Sequence, residues 1–144
     1  MAVSKFKGAI HSDERGKLIF FNEFSMEPIK RFYEIRPSST ETIRAWQGHL
    51  IETKWFYCTA GSFVMNLLPL TENGQPNTSL KIEQYYLTSD EPLVLKVPGG
   101  YASGFRAMEN NAKLLVFSDV SLGASKNDDF RFPENAVGAD WGEM

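Results

Sequence analysis

The chain has little of several features that mark particular classes of protein. Cys58 is its only cysteine, so neither an intrachain disulfide nor a cysteine-rich zinc site can form. The formal net charge is −3 at pH 7, without the clustered basic face that contacts nucleic-acid phosphates. No apolar run approaches the roughly 20 residues of a membrane span, and the first residues lack the apolar core of a signal peptide. We therefore expect a cytoplasmic protein without nucleic-acid or membrane partners.

What the sequence has instead is a series of strand-length apolar segments. Its 144 residues, 42% of them hydrophobic, are enough for one domain with a sizeable core. Helical periodicity is scarce, and clusters of turn-forming residues separate the predicted strands, which are 17–24, 29–36, 42–46, 54–59, 62–70, 80–87, 93–97, 104–108 and 113–120. Such spacing is typical of an antiparallel sandwich or barrel. We predict one all-β domain over 1–144, with the polar residues 120–144 as a short C-terminal helix or extended arm.

The segment RAWQGHLIETK, from Arg44 to Lys54, concentrates the polar side chains that chemistry would use. It contains His49, one of only two histidines in the chain. Gln47 and His49 are two residues apart, so on a strand they would share one face of the sheet. Arg44 is at odd spacing from both. It would point to the other face unless a bulge intervened near Gly48.

A second segment, PGGYASG at 98–104, has three glycines in seven positions and allows a sharp turn with positive φ. Such a turn resembles that of the metal-binding cupins, small jelly-roll barrels with a motif similar to G-x5-H-x-H-x(3,4)-E-x6-G before a P-x-G-x2-H turn. Of the four ligands that this resemblance implies, the chain keeps His49 and Glu52. Gln47 and Ser103 stand near the other two places. Because two protein ligands with one imidazole rarely hold a transition metal, we predict no metal and no cofactor.

The chain shows a closer resemblance to two related groups of sugar-nucleotide cupins. Its opening, DERGKLIFFNEF followed by IKRFYEI, is similar to the start of the dTDP-sugar 3,4-ketoisomerases. Four features fall without a gap at the offsets of their R-G-x-H-A-H motif and the residues after it: Arg44, His49, Lys54 and the Gly-Ser pair at 61–62. VPGGYASGF at 97–105 and the tail DDFRFPENAVGADW resemble instead the dTDP-4-dehydrorhamnose 3,5-epimerases. The chain is therefore similar to this wider group of cupins.

The resemblance implies chemistry on a nucleotide-linked 4-keto-6-deoxy sugar. The ketone acidifies the neighbouring C–H, a base removes that proton, an acid returns it, and a donor stabilises the enolate oxygen. His49 matches the second histidine of the ketoisomerase motif and could be the base, with Lys54 and Arg44 facing the enolate. The place of the epimerase base is taken by Gln47, whose amide cannot accept a proton. The place of the epimerase acid is taken by Val116.

The same resemblance implies further contacts with the substrate. The predicted substrate-binding residues are Gln47, Arg15, Tyr33, Tyr57, Tyr101 and Ser103. The three tyrosines are candidate acids, and the sequence does not choose among them. Arg15 resembles an arginine that reaches the nucleotide of a neighbouring subunit in the epimerases. Because these families exchange their N-terminal segments, and because the N-terminal strands here are rich in aromatic residues, we expect a homodimer.

Three functions remain open on the sequence. The first is a homodimeric, metal-independent isomerase or epimerase of a nucleotide-diphospho-sugar, and it is the one that we predict. The second is a non-catalytic sugar-nucleotide binding protein that has lost base and acid. The third is a barrel whose cavity serves only packing and assembly. Gln47 and Val116 favour the binding protein, whereas His49, Lys54 and Arg44 together favour the enzyme.

Overall fold

In the computed structural model, which describes residues 2–142, twelve strands and one short helix build two packed sheets and a hairpin. The elements are β1 (Ser4–Lys7), β2 (Ala9–Asp13), β3 (Gly16–Phe20), β4 (Arg31–Ile35), β5 (Ile43–His49), β6 (Lys54–Ala60), β7 (Ser62–Pro69), β8 (Glu83–Thr88), β9 (Leu93–Val97), β10 (Tyr101–Ala107), β11 (Lys113–Ser118), α1 (Leu122–Lys126) and β12 (Phe130–Arg131). The first sheet has the order β1-β9-β6-β11-β4 and the second β12-β5-β10-β7-β8. All these strand pairs are antiparallel, which confirms the predicted all-β barrel.

Each predicted strand corresponds to an observed one, with shifts at the ends. The predicted strand at 17–24 ends at Phe20, because the chain then leaves the hairpin and folds over the first sheet. The predicted strand at 104–108 begins earlier, at Tyr101, since Gly100 with a φ of 104° already completes the turn. Three short strands, β1, β2 and β12, are not predicted. They are largely exposed and lack a clear alternation of apolar residues.

The main core fills the space between the two sheets. Along β6 the side chains alternate, so that Phe56 and Cys58 point into this core, whereas Trp55 and Tyr57 point to the outer face. Burial raises the pKa of the Cys58 thiol to about 11, which keeps it protonated. Toward one end of the barrel the apolar side chains give way to polar ones, and the candidate site lies there.

Residues 21–29 cover the outer face of the first sheet. Phe24 packs against Trp55 with ring centroids 6.5 Å apart, and Phe21 meets Tyr57 edge-on at 4.9 Å. These aromatic contacts form a second apolar cluster on the side of the sheet opposite the main core. The central strands of the first sheet are therefore covered on both faces, which explains why they are apolar on both sides.

The hairpin of β2 and β3 stands apart from both sheets. Ile10, Leu18 and Ile19 are exposed on it, Leu18 by 61%. A lone two-stranded hairpin is at best marginally stable in water, and exposed apolar strands invite pairing with another chain. The hairpin therefore leaves apolar side chains exposed.

The predicted tail at 120–144 contains both a helix, α1, and an extended arm that is described as far as residue 142. Residue 1 and residues 143–144 lie outside the described part of the chain. The arm covers the outer face of the second sheet, where Trp141 packs on Trp46 with ring centroids 5.2 Å apart. The carbonyl of Asp140 accepts a hydrogen bond from the Asn66 amide at 2.7 Å.

No helix in the described part of the chain has the length and apolar character to cross a membrane. One domain over the whole chain stays a prediction.

Candidate active site

A bulge in β5 brings Arg44 and Gln47 to the same side of the second sheet. Gln47 lies opposite Ser103 of β10, and Arg44 lies opposite Phe105. Three residues of β5 therefore span the same length as two residues of β10. Because Ser103 and Phe105 share a face, their partners share it as well. The sequence alone put Arg44 on the other face unless a bulge intervened near Gly48. A bulge is present, but it lies between Arg44 and Gln47.

A cavity of about 310 Å³ opens at this end of the barrel. Its mouth carries five polar side chains, those of Tyr33, Arg44, Gln47, Ser103 and Arg131. A narrow inner space of about 10 Å³ continues from it, with a polar lining of Gln47, His49, Glu52, Lys54, Tyr101 and Ser103. That volume holds about one water molecule. Seven of the nine predicted site residues thus line these two adjoining spaces, whose linings share Gln47 and Ser103, and Tyr57 and Arg15 do not.

His49 lies buried at the inner end of this cavity. Its Nδ1 donates a hydrogen bond to the backbone carbonyl of Asp128. Because a carbonyl only accepts, Nδ1 carries the proton of the neutral ring and Nε2 has the free lone pair. Nε2 has no hydrogen-bond partner among residues 2–142. Burial and the Lys54 ammonium lower the pKa of His49 below 6.5, so the ring is neutral at pH 7 and can accept a proton.

Asp128 also fixes the loop that follows His49. One carboxylate oxygen accepts a hydrogen bond from the backbone N–H of Leu50 at 2.7 Å. The other accepts from Ile51 at 2.9 Å and from Glu52 at 2.8 Å. Hydrogen bonds to a charged acceptor are among the stronger ones in proteins. Asp128 thus orients the imidazole with its carbonyl and the loop with its carboxylate.

Glu52 is a buried carboxylate directly behind His49. The hydroxyls of Ser118 and Ser125 donate to its two oxygens, both at 2.6 Å, and Nη2 of Arg31 donates at 3.3 Å. Its Oε1 lies 3.4 Å from Nδ1 of His49. Burying a carboxylate is costly unless it is paired and hydrogen-bonded, and here it is both.

Lys54 is hydrogen-bonded to the glutamine that stands at the place of the epimerase base. Its Nζ donates to Oε1 of Gln47 at 3.3 Å, and Nε2 of Gln47 donates to Asp129 at 3.4 Å. Arg131 pairs with the same carboxylate at 3.1 Å, which extends this chain of contacts to the cavity mouth. Burial lowers the pKa of Lys54 to about 8, with the Glu52 carboxylate opposing that change. Lys54 is therefore mostly cationic at pH 7.

Tyr33 supplies a phenol on the face where the epimerase acid would stand. It lies directly opposite Val116 in the pair of β4 and β11, so the two side chains point to the same side. Nζ of Lys54 lies 5.9 Å from the centre of the Tyr33 ring. Burial raises the pKa of Tyr33, so its hydroxyl keeps its proton at neutral pH.

The other two tyrosines and Arg15 have different surroundings. Tyr101 lines the inner space, and burial together with a hydrogen bond to Glu83 raises its pKa. Tyr57 points to the outer face of the first sheet, because it lies at odd spacing from the inward-facing residues of β6. Arg15 lies in the exposed turn between β2 and β3, where it pairs with Asp13 at 2.7 Å. Neither Tyr57 nor Arg15 reaches the cavity of its own chain.

Sequence reasoning missed three contributors to the site: Arg31, Asp128 and Arg131. All three lie inside segments that carry the resemblance, Arg31 in IKRFYEI and both Asp128 and Arg131 in DDFRFPENAVGADW, and that was the available signal. Asp128 meets His49 from 79 residues away, in a polar tail without any pattern that predicts this contact. Within residues 2–142, no three or more His, Cys, Asp and Glu side chains are grouped to hold a metal ion. The metal-free site stays a prediction.

Comparison with known proteins supports the resemblance, although no family model matches the chain. The spore coat polysaccharide biosynthesis protein SpsL of Bacillus subtilis (strain 168) is 28% identical over 140 residues, which cover 91% of this chain and 89% of SpsL. The structure is similar to the Mycobacterium tuberculosis rmlC epimerase, with a TM-score of 0.76, 16% identity, and coverage of 96% of this chain and 74% of the epimerase. It is also similar to a mutant of the 3,4-ketoisomerase QdtA from Thermoanaerobacterium thermosaccharolyticum in complex with TDP-4-keto-6-deoxyglucose. The TM-score is 0.71 and the identity 18%, and the match covers 90% of this chain and 87% of QdtA.

These likenesses identify the class of fold. The chain has the same barrel fold as solved 3,4-ketoisomerases of dTDP-sugars and a dTDP-4-dehydrorhamnose 3,5-epimerase, and this is the cupin fold that the sequence motifs predicted. The match to SpsL extends the resemblance to a protein of polysaccharide biosynthesis.

Proposed function

We propose that the chain is a metal-independent isomerase or epimerase that acts on a nucleotide-diphospho-sugar of the dTDP-4-keto-6-deoxy type. The observation that carries the proposal is the state of His49: a buried, neutral imidazole whose Nε2 is free and which lines the inner end of a cavity beside the cationic Lys54. A base with a free lone pair next to a fixed cation is what enolisation of a ketone needs. The resemblance to QdtA, solved with TDP-4-keto-6-deoxyglucose, supplies the substrate class.

The proposed reaction assigns one role to each of three side chains. Nε2 of His49 takes the proton from the carbon beside the ketone. The electron pair of that C–H bond forms the C=C bond of the enolate, and the π pair of the C=O bond moves to the oxygen. Nζ of Lys54 stabilises the resulting enolate. The hydroxyl of Tyr33 is the proposed acid, because it keeps its proton at neutral pH and lies at the cavity mouth. Tyr57 is not part of this mechanism, since it points away from the cavity.

The cavity mouth suits the diphosphate of such a substrate. Arg44 and Arg131 both line it, together with Tyr33. Guanidinium groups bind phosphate oxygens in pairs and stay charged at all relevant pH values. Arg44 lies at the mouth and not in the inner space that holds Lys54. We therefore place it at the diphosphate with Arg131 and leave the enolate to Lys54.

One observation favours the second function, a binding protein without catalysis. The inner space of about 10 Å³ has no room for a sugar ring beside His49 while Lys54 is hydrogen-bonded to Gln47. A ligand that stayed at the mouth would meet the two arginines and would never reach the base. The two functions therefore differ in one step, the entry of the sugar ring into the inner space beside His49.

The experiment that separates them is hydrogen exchange into the substrate. The protein is incubated with dTDP-4-keto-6-deoxyglucose in D2O, and NMR follows deuterium uptake at the carbons beside the ketone. Catalysed uptake supports the enzyme, because exchange needs the base but no completed isomerisation. Saturable binding without any uptake would overturn the proposed catalysis and leave the binding protein.

We propose further that the protein is a cytoplasmic homodimer, without nucleic-acid or membrane partners. The exposed apolar hairpin of β2 and β3 supports a second copy as partner, and the position of Arg15 outside its own cavity fits a contact with the substrate of that copy. The core thiol of Cys58 fits a reducing compartment. Light scattering at micromolar concentration should give the mass of a dimer, and a monomer mass would contradict the assembly.

A further inference from the structure

Glu52 has an unusual position for a carboxylate. Its side chain is fully buried, and it belongs to the loop between β5 and β6. Three elements outside that loop supply its donors: Ser118 ends β11, Ser125 is in α1 and Arg31 begins β4. Neutral serines alone would solvate a glutamine equally well. The negative charge of Glu52 at this buried position must therefore be explained by the positive charges that the carboxylate faces.

The charged and titratable side chains packed around His49 are few. They are Glu52 and Lys54 from the following loop and β6, Asp128 from the segment before β12, Arg31 from β4 and Tyr101 from β10. The Asp128 carboxylate is occupied by three backbone N–H groups, and only the carbonyl of this residue meets the imidazole. Glu52, with Oε1 at 3.4 Å from Nδ1, is thus the anion that faces the ring directly.

This arrangement matters because the site becomes more positive during proton abstraction. When Nε2 of His49 accepts the substrate's proton, the ring becomes an imidazolium, close to the ammonium of Lys54 and, behind Glu52, the guanidinium of Arg31. Like charges in a buried site repel strongly, since little water screens them. An anion held at the back of the ring offsets that repulsion.

We infer that Glu52 is a positioning residue that serves as the buried counter-charge of His49, stabilising the imidazolium that forms when Nε2 takes the proton. The inference rests on the proposed function for its catalytic meaning, but the effect on His49 exists in the free protein. The proton ends on Nε2, the electron pair of the broken C–H bond becomes the C=C bond of the enolate, and the former C=O π pair ends on the oxygen. Nδ1 keeps its hydrogen toward Asp128 and Glu52. No co-reactant is needed.

The test is Glu52→Gln, which keeps the shape and removes the charge. NMR titration of the imidazole C–H signals is direct, because the chain has only two histidines and His11 lies on the exposed hairpin as an internal reference. We expect the pKa of His49 to fall by about one unit or more. Glu52→Asp, which keeps the charge, should restore most of the shift. A His49 pKa that is unchanged or higher in Glu52→Gln would overturn the inference.

Two further measurements complete the test. Glu109→Gln is the matched control, since Glu109 also accepts a hydrogen bond from a buried serine, Ser62 at 2.7 Å, but lies outside the cavity lining. It should leave the pKa of His49 unchanged. If Glu52→Gln does not fold, Ser125→Ala replaces it: with one donor lost, the carboxylate is less compensated and the pKa of His49 should rise. No rise would count against the inference.

The catalytic part is measured separately. Glu52→Gln should slow deuterium uptake into dTDP-4-keto-6-deoxyglucose by about tenfold or more, with the dissociation constant for dTDP within about threefold of the original protein. If the original protein itself catalyses no uptake, the proposed function fails while the shift in the His49 pKa still stands. If uptake occurs and Glu52→Gln leaves its rate unchanged, only the inference about Glu52 fails.

Discussion

Lys54 donates a hydrogen bond from Nζ to Oε1 of Gln47 at 3.3 Å, so the amide at the place of the epimerase base holds the cation of the site. The same amide donates to Asp129 at 3.4 Å. The glutamine is therefore a built part of the site, with both ends of its amide in use. It fixes the ammonium group beside His49, where the proposed enolate would form.

His49→Asn should abolish deuterium uptake while the affinity for dTDP stays within a few-fold. The asparagine can keep a polar contact with the Asp128 carbonyl but offers no lone pair that accepts a proton at neutral pH. Uptake is measured by NMR and affinity by calorimetry. His11→Asn, on the exposed hairpin, is the control and should leave both unchanged. Wild-type uptake in His49→Asn would remove this residue as the base.

Lys54→Met should slow uptake by on the order of 100-fold, the typical effect of deleting one preorganised donor to a developing oxyanion. Methionine keeps much of the length and apolar volume of the lysine, so the barrel should fold. Lys96→Met is a suitable control, because Lys96 lies over Trp55 on the outer face of the same sheet. An equal loss in both variants would point to a general effect on folding.

The pH dependence of uptake should show two limbs. As the pH falls below the lowered pKa of His49, the imidazole takes a proton from water and the rate declines. As the pH rises through about 8, Lys54 loses its charge and the rate declines again. Initial rates between pH 5 and pH 10 check this. The alkaline limb should disappear in Lys54→Met, and its persistence there would assign it to another group.

Gln47→His tests whether the site can regain the base of the related epimerases. Gln47 donates a hydrogen bond to Asp129 at 3.4 Å, and a histidine at position 47 would have the same carboxylate as its neighbour. If His49 is the base, as proposed, uptake should still depend on His49 in this background. The assignment of His49 as the base is contradicted if Gln47→His raises deuterium uptake and His49→Asn has no effect on it. That result would show that the site lost its base when glutamine took this position.

Asp128→Ala should lower the free energy of unfolding by about 2–4 kcal/mol, because three backbone N–H groups lose a charged acceptor. Chemical denaturation measures the change. Asp129→Ala, next in the chain but partly exposed, should cost less than about 1 kcal/mol. Similar losses in the two variants would mean that the loop after His49 does not depend on Asp128.

The sequence by itself determined the class of fold and the inward-facing side of most strands. Apolar and β-branched segments of strand length, divided by turn residues, predicted each of the strands that forms the core, since a side-chain period of two is local information. The same periodicity places Gln47 and His49 on one face, and the motif offsets singled out Lys54. The short exposed strands β1, β2 and β12 carry no such pattern.

Only the tertiary structure decided which of these residues meet. The bulge that brings Arg44 beside Gln47 is a relation between two strands, visible only when β5 is paired with β10. The tautomer of His49 depends on a carbonyl 79 residues away. Tyr33 and Tyr57 look alike as sequence, yet one lines the cavity and the other packs outside. Periodicity is fixed by neighbours along the chain, whereas hydrogen-bond partners and pKa shifts depend on groups that only the packed barrel brings together.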